Sequence, residues 1–452
     1  MFKKDFVWGS ASASYQIEGA AYEDGKGMSI WDMFCKKPGT ILGGHSGDDA
    51  CDHYHRYKED VGLMAEMGLK AYRFSLSWPR IIPDGTGTLS PDGIAFYNSL
   101  IDELLANGIT PYITLYHWDL PLALHYQGGW LNKQSPEWFA NYARVVVENF
   151  SDRVKYFMTF NEPQCFVGLG YGEGVLAPGQ KMSAAETFPI AHNVLLAHGK
   201  AVQAMRKYGA ADIRIGYAPC GSYPYPDPET PENIEIARKM MFANTEDTVK
   251  GLFSVSWWSD PVLLGTYPDD GIAHYGKYLP EGWRDDLETI WQPLDFLGQN
   301  IYEGFAVQAG TDGKPVEVKQ YDGFPRTALS WPITPPVLKW APRFLYERYK
   351  KPIYITENGM SCHDAVSLDG SVHDPNRIDY IHRYLLALKE AAEAGADIAG
   401  YFVWSLIDNF EWAKGYSERF GVVYVDYPTQ RRIIKDSGHW YRSVVESNGG
   451  NL

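Results

Sequence analysis

Two glutamates stand out by their setting. Glu162 lies in F-N-E-P (160–163) and Glu357 in T-E-N-G (356–359). Each follows an apolar run with strand character, VKYFMTF (154–160) or the start of KPIYITEN (351–358). Each also neighbours an asparagine and precedes a turn-forming residue. A carboxylate is an unfavourable end for a buried strand unless something there uses it. A lone glutamate in such a place more often forms a structural ion pair. Two of them facing one cavity are what hydrolysis of a glycosidic bond requires. One gives a proton to the leaving oxygen, and the other acts as nucleophile or as base for water. Their surroundings must then differ, so that one stays protonated near neutral pH while the other stays charged.

Other apolar runs end on polar or aromatic residues too: Gln16 with Glu18, Arg73, His117 with Trp118 and Asp119, Asn300 with Tyr302, and Trp404. Bringing such ends together is a task for the fold. A repeated unit in the chain suggests how it is done. A helical stretch stops at a glycine and a short β-rich apolar run follows, as in EMGLKAYRFSLSW, ANGITPYITLYHW, KYGAADIRIGYAP and EAGADIAGYFVWS. Gly68, Gly108, Gly209 and Gly395 are the expected C-terminal stops. Before Gly108, Ser90 is the expected N-cap and Pro91 the first helical residue. Tyr97, Leu100, Ile101, Leu104 and Leu105 make the apolar face.

VKYFMTF, DFLGQNIY (295–302), KPIYITEN and FVWGSAS (6–12) supply the remaining strands, eight in all. Apolar strands joined by helical crossovers form a parallel sheet covered on both faces. Eight such units in one undivided chain predict an α/β fold, a single (β/α)8 TIM barrel spanning residues 1–452. All strand C-termini of such a barrel open on one face. The open doubly wound sheet is the alternative, but no G-x-G-x-x-G turn follows the first strand.

Composition narrows the partners. The net charge is −15 and the pI near 5.3, which argues against nucleic acid or an anionic membrane. Aromatic residues reach 15%, enough for a large core or for flat surfaces that stack on sugar rings. Cys35, Cys51, Cys165, Cys220 and Cys362 are odd in number, with no C-x-x-C pair. They are expected to be reduced thiols of a cytoplasmic protein. The start, MFKKDFVWGS, lacks the apolar core of a secretion signal, and no apolar run has a membrane-spanning length.

SASASYQIEGA, SWPRIIPDGTG, YHWDLP, TFNEP, LGQNIY, ITENG and WSLIDNFEWAKGYSERFG together resemble the landmarks of family 1 glycoside hydrolases, the bacterial β-glucosidase type, in that family's order. The resemblance spans residues 9 to 421. It implies Glu162 as general acid/base and Glu357 as the nucleophile of a retaining double displacement. Arg73 and Tyr302 would donate hydrogen bonds to charged Glu357, Asn161 would bond the sugar 2-hydroxyl, and Asn300 would support the pair. Gln16, His117, Glu411 and Trp412 would read the hydroxyls of the nonreducing sugar. Trp404 would be its stacking platform, Phe420 would help close the pocket, and Trp331 would face the leaving group. Outside those motifs, His117 and Trp404 would read as ordinary core residues. The resemblance implies no metal and no cofactor, and a small-molecule glycoside or short oligosaccharide as the partner. It leaves the oligomeric state open.

A carboxylate at Glu411 accepts sugar hydroxyls but repels phosphate, which favours unphosphorylated glycosides. Relatives acting on 6-phosphoglycosides carry phosphate-binding residues there. Glu162 stands where thioglucoside-cleaving plant relatives carry Gln, which favours O-glycosides. Two departures from the family pattern, Leu176 in LAPG and Pro332 in SWPIT, lie on the leaving-group side. The rival readings are a catalytically inactive sugar-binding barrel, a metal-dependent barrel hydrolase, and a β-galactosidase, β-fucosidase or 6-phospho-β-glucosidase. The H-x-H piece at His53 and His55 has no third ligand at a recognised spacing, so a structural role is expected. The last helical stretch, KDSGHWYRSVVESNGG, is expected to cap the barrel.

Overall fold

A computed structural model describes residues 2–452. The strands are β1 (Val7–Ala11), β2 (Ala71–Ser75), β3 (Thr110–Tyr116), β4 (Tyr156–Asn161), β5 (Arg214–Ala218), β6 (Leu297–Asn300), β7 (Ile353–Asn358) and β8 (Ile398–Trp404). All pairings are parallel, in the order β5-β4-β3-β2-β1-β8-β7-β6. β5 and β6 complete the circle: Asp295 N donates to Ile215 O at 2.9 Å and Asn300 N to Pro219 O at 3.1 Å. The (β/α)8 barrel expected from the sequence is therefore the fold.

The interior is packed. Towards the N-terminal ends of the strands, Tyr112 stacks on Tyr156 at 4.2 Å and meets Phe402 at 5.0 Å and Tyr354 at 5.8 Å. These rings belong to an apolar cluster inside the barrel, distinct from the larger one between strands and helices. The aromatic floor closes one end and leaves the other for polar chemistry.

Gly68, Gly108 and Gly395 stop their helices with φ of +68°, +71° and +97°, the left-handed conformation that glycine adopts without strain. Gly209 differs. Its φ is −84°, and what it needs is space, because a Cβ there would sit 2.7 Å from Met205 O. Helix Pro91–Ala106 begins as expected, with Ser90 Oγ accepting from Gly93 N at 3.1 Å. Leu105 is 40% exposed, however, and Phe96 fills the buried face in its place. The helix Asp436–Glu446 does not cap an end of the barrel. It packs on the outer wall, where Tyr441 meets Trp8 and donates to Gly9 O at 3.0 Å.

His53 and His55 take separate carboxylate partners. His53 is buried against Asp60 at 2.7 Å, and exposed His55 meets Asp52 at 2.6 Å. No helix among the described residues is long and apolar enough to cross a membrane.

Candidate active site

The two strands that deliver the glutamates are irregular just before them. The register of β4 on β5 shifts between Met158 and Asn161, and that of β7 on β6 between Ile355 and Glu357. Such bulges re-aim side chains at a barrel rim. Beyond β4, Glu162 adopts φ +43°, ψ +66°, a left-handed conformation uncommon for a residue with a side chain. Trp118 and Trp412 share that departure, with φ of +78° and +51°.

Arg73 organises the centre. Its Nη1 donates to Glu357 Oε1 at 2.6 Å and to Thr356 O at 3.1 Å. Its Nη2 donates to Asn161 Oδ1 at 2.5 Å and its Nε to Thr114 Oγ1 at 3.1 Å. Tyr302 OH donates to the other Glu357 oxygen at 2.7 Å. Asn300 Nδ2 bridges Asn161 Oδ1 at 3.0 Å and Glu162 Oε1 at 2.9 Å, and its own Oδ1 accepts from Thr356 Oγ1 at 2.6 Å. Asn161 Nδ2 in turn meets His117 Nε2 at 3.0 Å. One relay of hydrogen bonds thus joins both carboxyl groups across β2, β4, β6 and β7.

The two glutamates sit in unlike surroundings. Burial, and then the charge of Glu357, push the Glu162 carboxyl up to about 7. Burial also pushes Glu411 up to about 8, with Glu357, Glu418 and Glu162 adding to it. His117 is held well below the usual imidazole value by burial and by Arg73. Its Nδ1 has no partner among the described residues.

A cavity of about 490 Å³ opens over this centre. Of the residues singled out in the sequence, Glu162, Glu357, Asn300, Tyr302, His117, Trp404, Glu411, Trp412, Phe420 and Trp331 line it. Arg73, Asn161 and Gln16 do not. The first two act from behind through the relay, and Gln16 Nε2 holds Asn409 Oδ1 at 3.1 Å and Phe410 O at 2.9 Å. The aromatic wall has two parts. Trp412 packs on Trp118 at 4.6 Å, and Trp331 lies 5.3 Å from Tyr302.

Polar strand-end residues divide into those that face the cavity and those that brace it. Glu18 pairs with Arg80 at 2.9 Å and accepts from Tyr97 OH at 2.6 Å. Asn358 bonds Ile301 O and Tyr401, and Asp119 accepts from Ser14. None of these three lines the cavity.

Several lining residues escape the sequence reading: Cys165, Leu169, Cys220, Phe253 and Glu303. Glu303 directly follows Tyr302, so extending that motif by one residue would have found it. Cys165 and Leu169 sit on the helical turns that follow Glu162, and Cys220 and Phe253 on loops, with no spacing to mark any of them. Leu176 does line the cavity, and Pro332 lines an adjoining groove of about 400 Å³ with Glu303.

Residues 1–450 match the sequence profile of Glycosyl hydrolase family 1. The chain is 46% identical over 450 residues to beta-glucosidase A of Thermotoga maritima, covering 99% of this chain and 98% of that one. It is likewise 46% identical over 450 residues to the 1,4-beta-D-glucan glucohydrolase of Thermotoga neapolitana, covering 99% of each chain. The solved structure of the Thermotoga maritima beta-glucosidase in complex with glucoimidazole superposes with a TM-score of 0.90 at 46% identity, covering 99% of each chain. With its barrel, its paired glutamates and a match along its length, the chain belongs to glycosyl hydrolase family 1.

Proposed function

We propose that this protein is a retaining β-glucosidase that releases glucose from the nonreducing end of unphosphorylated O-glycosides. The observation that carries this is the unlike surroundings of two carboxyl groups over one cavity. Arg73 and Tyr302 each donate a hydrogen bond to Glu357, while burial and that neighbour push Glu162 up to about 7, where it can hold a proton near neutrality.

In the first step, a Glu357 oxygen bonds to the anomeric carbon as the bond to the leaving oxygen breaks, and Glu162 gives that oxygen its proton. Esterified Glu357 carries no charge, so the push on Glu162 weakens and it becomes a base. Glu162 then takes a proton from water, whose oxygen attacks the anomeric carbon and frees Glu357. Asn161, fixed by Arg73 and Asn300 just behind the cavity lining, is the group proposed to reach the sugar 2-hydroxyl. His117, Glu411 and Trp412 bind the remaining hydroxyls with Gln16 behind them, Trp404 is the platform, Phe420 helps close the pocket, and Trp331 borders the leaving group.

The Thermotoga neapolitana relative is named for 1,4-β-D-glucan, which suggests short β-glucans as natural substrates, late in cellulose breakdown. All five cysteines are free thiols, which supports a cytoplasmic setting.

Purified protein should hydrolyse para-nitrophenyl β-D-glucoside. Glu357→Ala should abolish turnover, and added azide should restore it with an α-glucosyl azide as product. An α-azide from Glu162→Ala instead would reverse the two roles, and no release by the wild type would remove the enzyme.

A further inference from the structure

Two thiols that the hydrolysis leaves unused share the cavity with Glu162. Cys165 ends the short helix Pro163–Cys165 directly after Glu162, and Cys220 lies just past β5. Both line the cavity, and the Cys165 thiol lies beside the Glu162 carboxyl. The sulfurs are 3.7 Å apart. A disulfide would need about 2.05 Å. The spacing is that of two thiols sharing a hydrogen bond, and it also suits a common metal ion. Two thiolates on one tetrahedral ion, each at about 2.3 Å, place their sulfurs about 3.8 Å apart.

A third donor is in reach. One carboxylate oxygen of Glu162 and both sulfurs lie within 4.8 Å of one another. Among the described residues, no other set of three or more His, Cys, Asp or Glu side chains converges in this way. Gln164 holds the two loops in place, with Nε2 donating to Cys220 O at 2.7 Å and Oε1 accepting from Cys220 N at 3.3 Å. All three residues line the cavity, which leaves room for a water as fourth ligand.

We infer that Glu162, Cys165 and Cys220 form a site for one thiophilic divalent cation, Zn²⁺ or Cd²⁺, and that an ion bound there stops hydrolysis by occupying the proton donor. Two sulfurs and one carboxylate favour such ions over Mg²⁺ or Ca²⁺, which prefer oxygen. On binding, each thiol and the protonated Glu162 carboxyl release their protons to solvent and each ligand gives an electron pair to the metal, with no change of oxidation state. The inhibitory half rests on the role proposed for Glu162. The binding half does not.

Cd²⁺ is the probe for binding. Titrated into the freshly reduced full-length protein, it should give a thiolate-to-cadmium charge-transfer absorption that saturates at one ion per chain. X-ray absorption of that complex should show two sulfur neighbours completed by oxygen. Cys165→Ser/Cys220→Ser should lose the absorption and bind Cd²⁺ at least about a hundredfold more weakly. A wild-type complex with only oxygen and nitrogen neighbours would overturn the site without relying on any variant, and so would a folded double variant that binds as tightly as the wild type. Zn²⁺ should abolish para-nitrophenyl glucoside hydrolysis by the wild type, while any activity of Cys220→Ser should persist at tenfold or higher Zn²⁺. Undiminished hydrolysis by a chain saturated with Cd²⁺ on two sulfurs would overturn the inhibition alone and place the proton donor elsewhere.

Discussion

Glu357 receives a guanidinium on one oxygen and a phenol on the other, while Glu162 accepts a single amide from Asn300. The asymmetry makes the state of one glutamate depend on the other. Removing the charge in Glu357→Gln should therefore lower the Glu162 pKa from about 7. Carbon NMR of labelled glutamate side chains reads this directly, and an unmoved titration would end the claim of coupling. In the wild type, kcat/KM should fall as pH rises through about 7, as the proton donor empties. Glu411 offers a stability test of the same field, since its carboxyl is raised from 4.5 to about 8. Between those values the folded chain keeps a proton that the unfolded chain has lost. Stability from this group is thus complete below the lower value and drains away as pH rises towards the upper one. Glu411→Gln stays uncharged throughout. Its melting temperature should match the wild type near pH ~4 and exceed it at pH ~9, even though a group proposed to bind sugar hydroxyls is gone. Equal melting temperatures at the alkaline end would show that the buried charge costs nothing.

Among the elements, β7 shows how much of the site is a matter of backbone fit. Gly359 follows Asn358 in a conformation open to other residues, yet a Cβ there would lie 1.7 Å from Trp404 O at the end of β8. Gly359→Ala must push those two strand ends apart, and with them Glu357 and Trp404. A loss of about 1–3 kcal/mol in urea unfolding is expected from such overpacking, with a larger proportional loss in kcat/KM than in stability. Wild-type kinetics in a folded Gly359→Ala would show that the strand ends absorb the methyl group. The sequence gives access to glycine as a type but not to its purpose here, which is close approach and not a turn. Strand positions are legible because strands covered on both faces need unbroken apolar runs, so all eight lie where VKYFMTF and its counterparts place them. The motif glutamates are legible because each interrupts such a run. Cys165 and Cys220 are not, since 55 residues separate them and only the closure of β4 against β5 brings them together. Phe253 and Leu169 come from the excursions between barrel strands, where no periodicity constrains a side chain.

Across the whole molecule, the loop that carries Glu411 and Trp412 is tied down from the far end of the chain. Lys435 is fully buried, and its Nζ donates to Asp408 Oδ1 at 2.7 Å and to Asp364 Oδ2 at 2.5 Å. Asp408 also takes Arg419 at 2.6 Å, and Asp364 takes Arg377 at 2.7 Å. The loops after β7 and β8 and the ribbon Val423–Asp426/Arg431–Ile434 are therefore fastened by one buried ionic network. Such networks add little net stability over an apolar replacement, but breaking one partner strands a charge away from water. Lys435→Ala leaves two aspartates sharing one fewer cation in a chain already at −15. It should cost about 3–5 kcal/mol in urea unfolding. Because Asp408 precedes Glu411 on the same loop, KM for glucosides should rise more than kcat falls, the mark of a loosened sugar-binding wall and not of damaged carboxylates. Lys435→Ala/Asp408→Asn removes the stranded charge along with its partner and should recover part of the stability. If the single variant unfolds like the wild type, the network is decoration, and the position of Glu411 is set by the barrel alone.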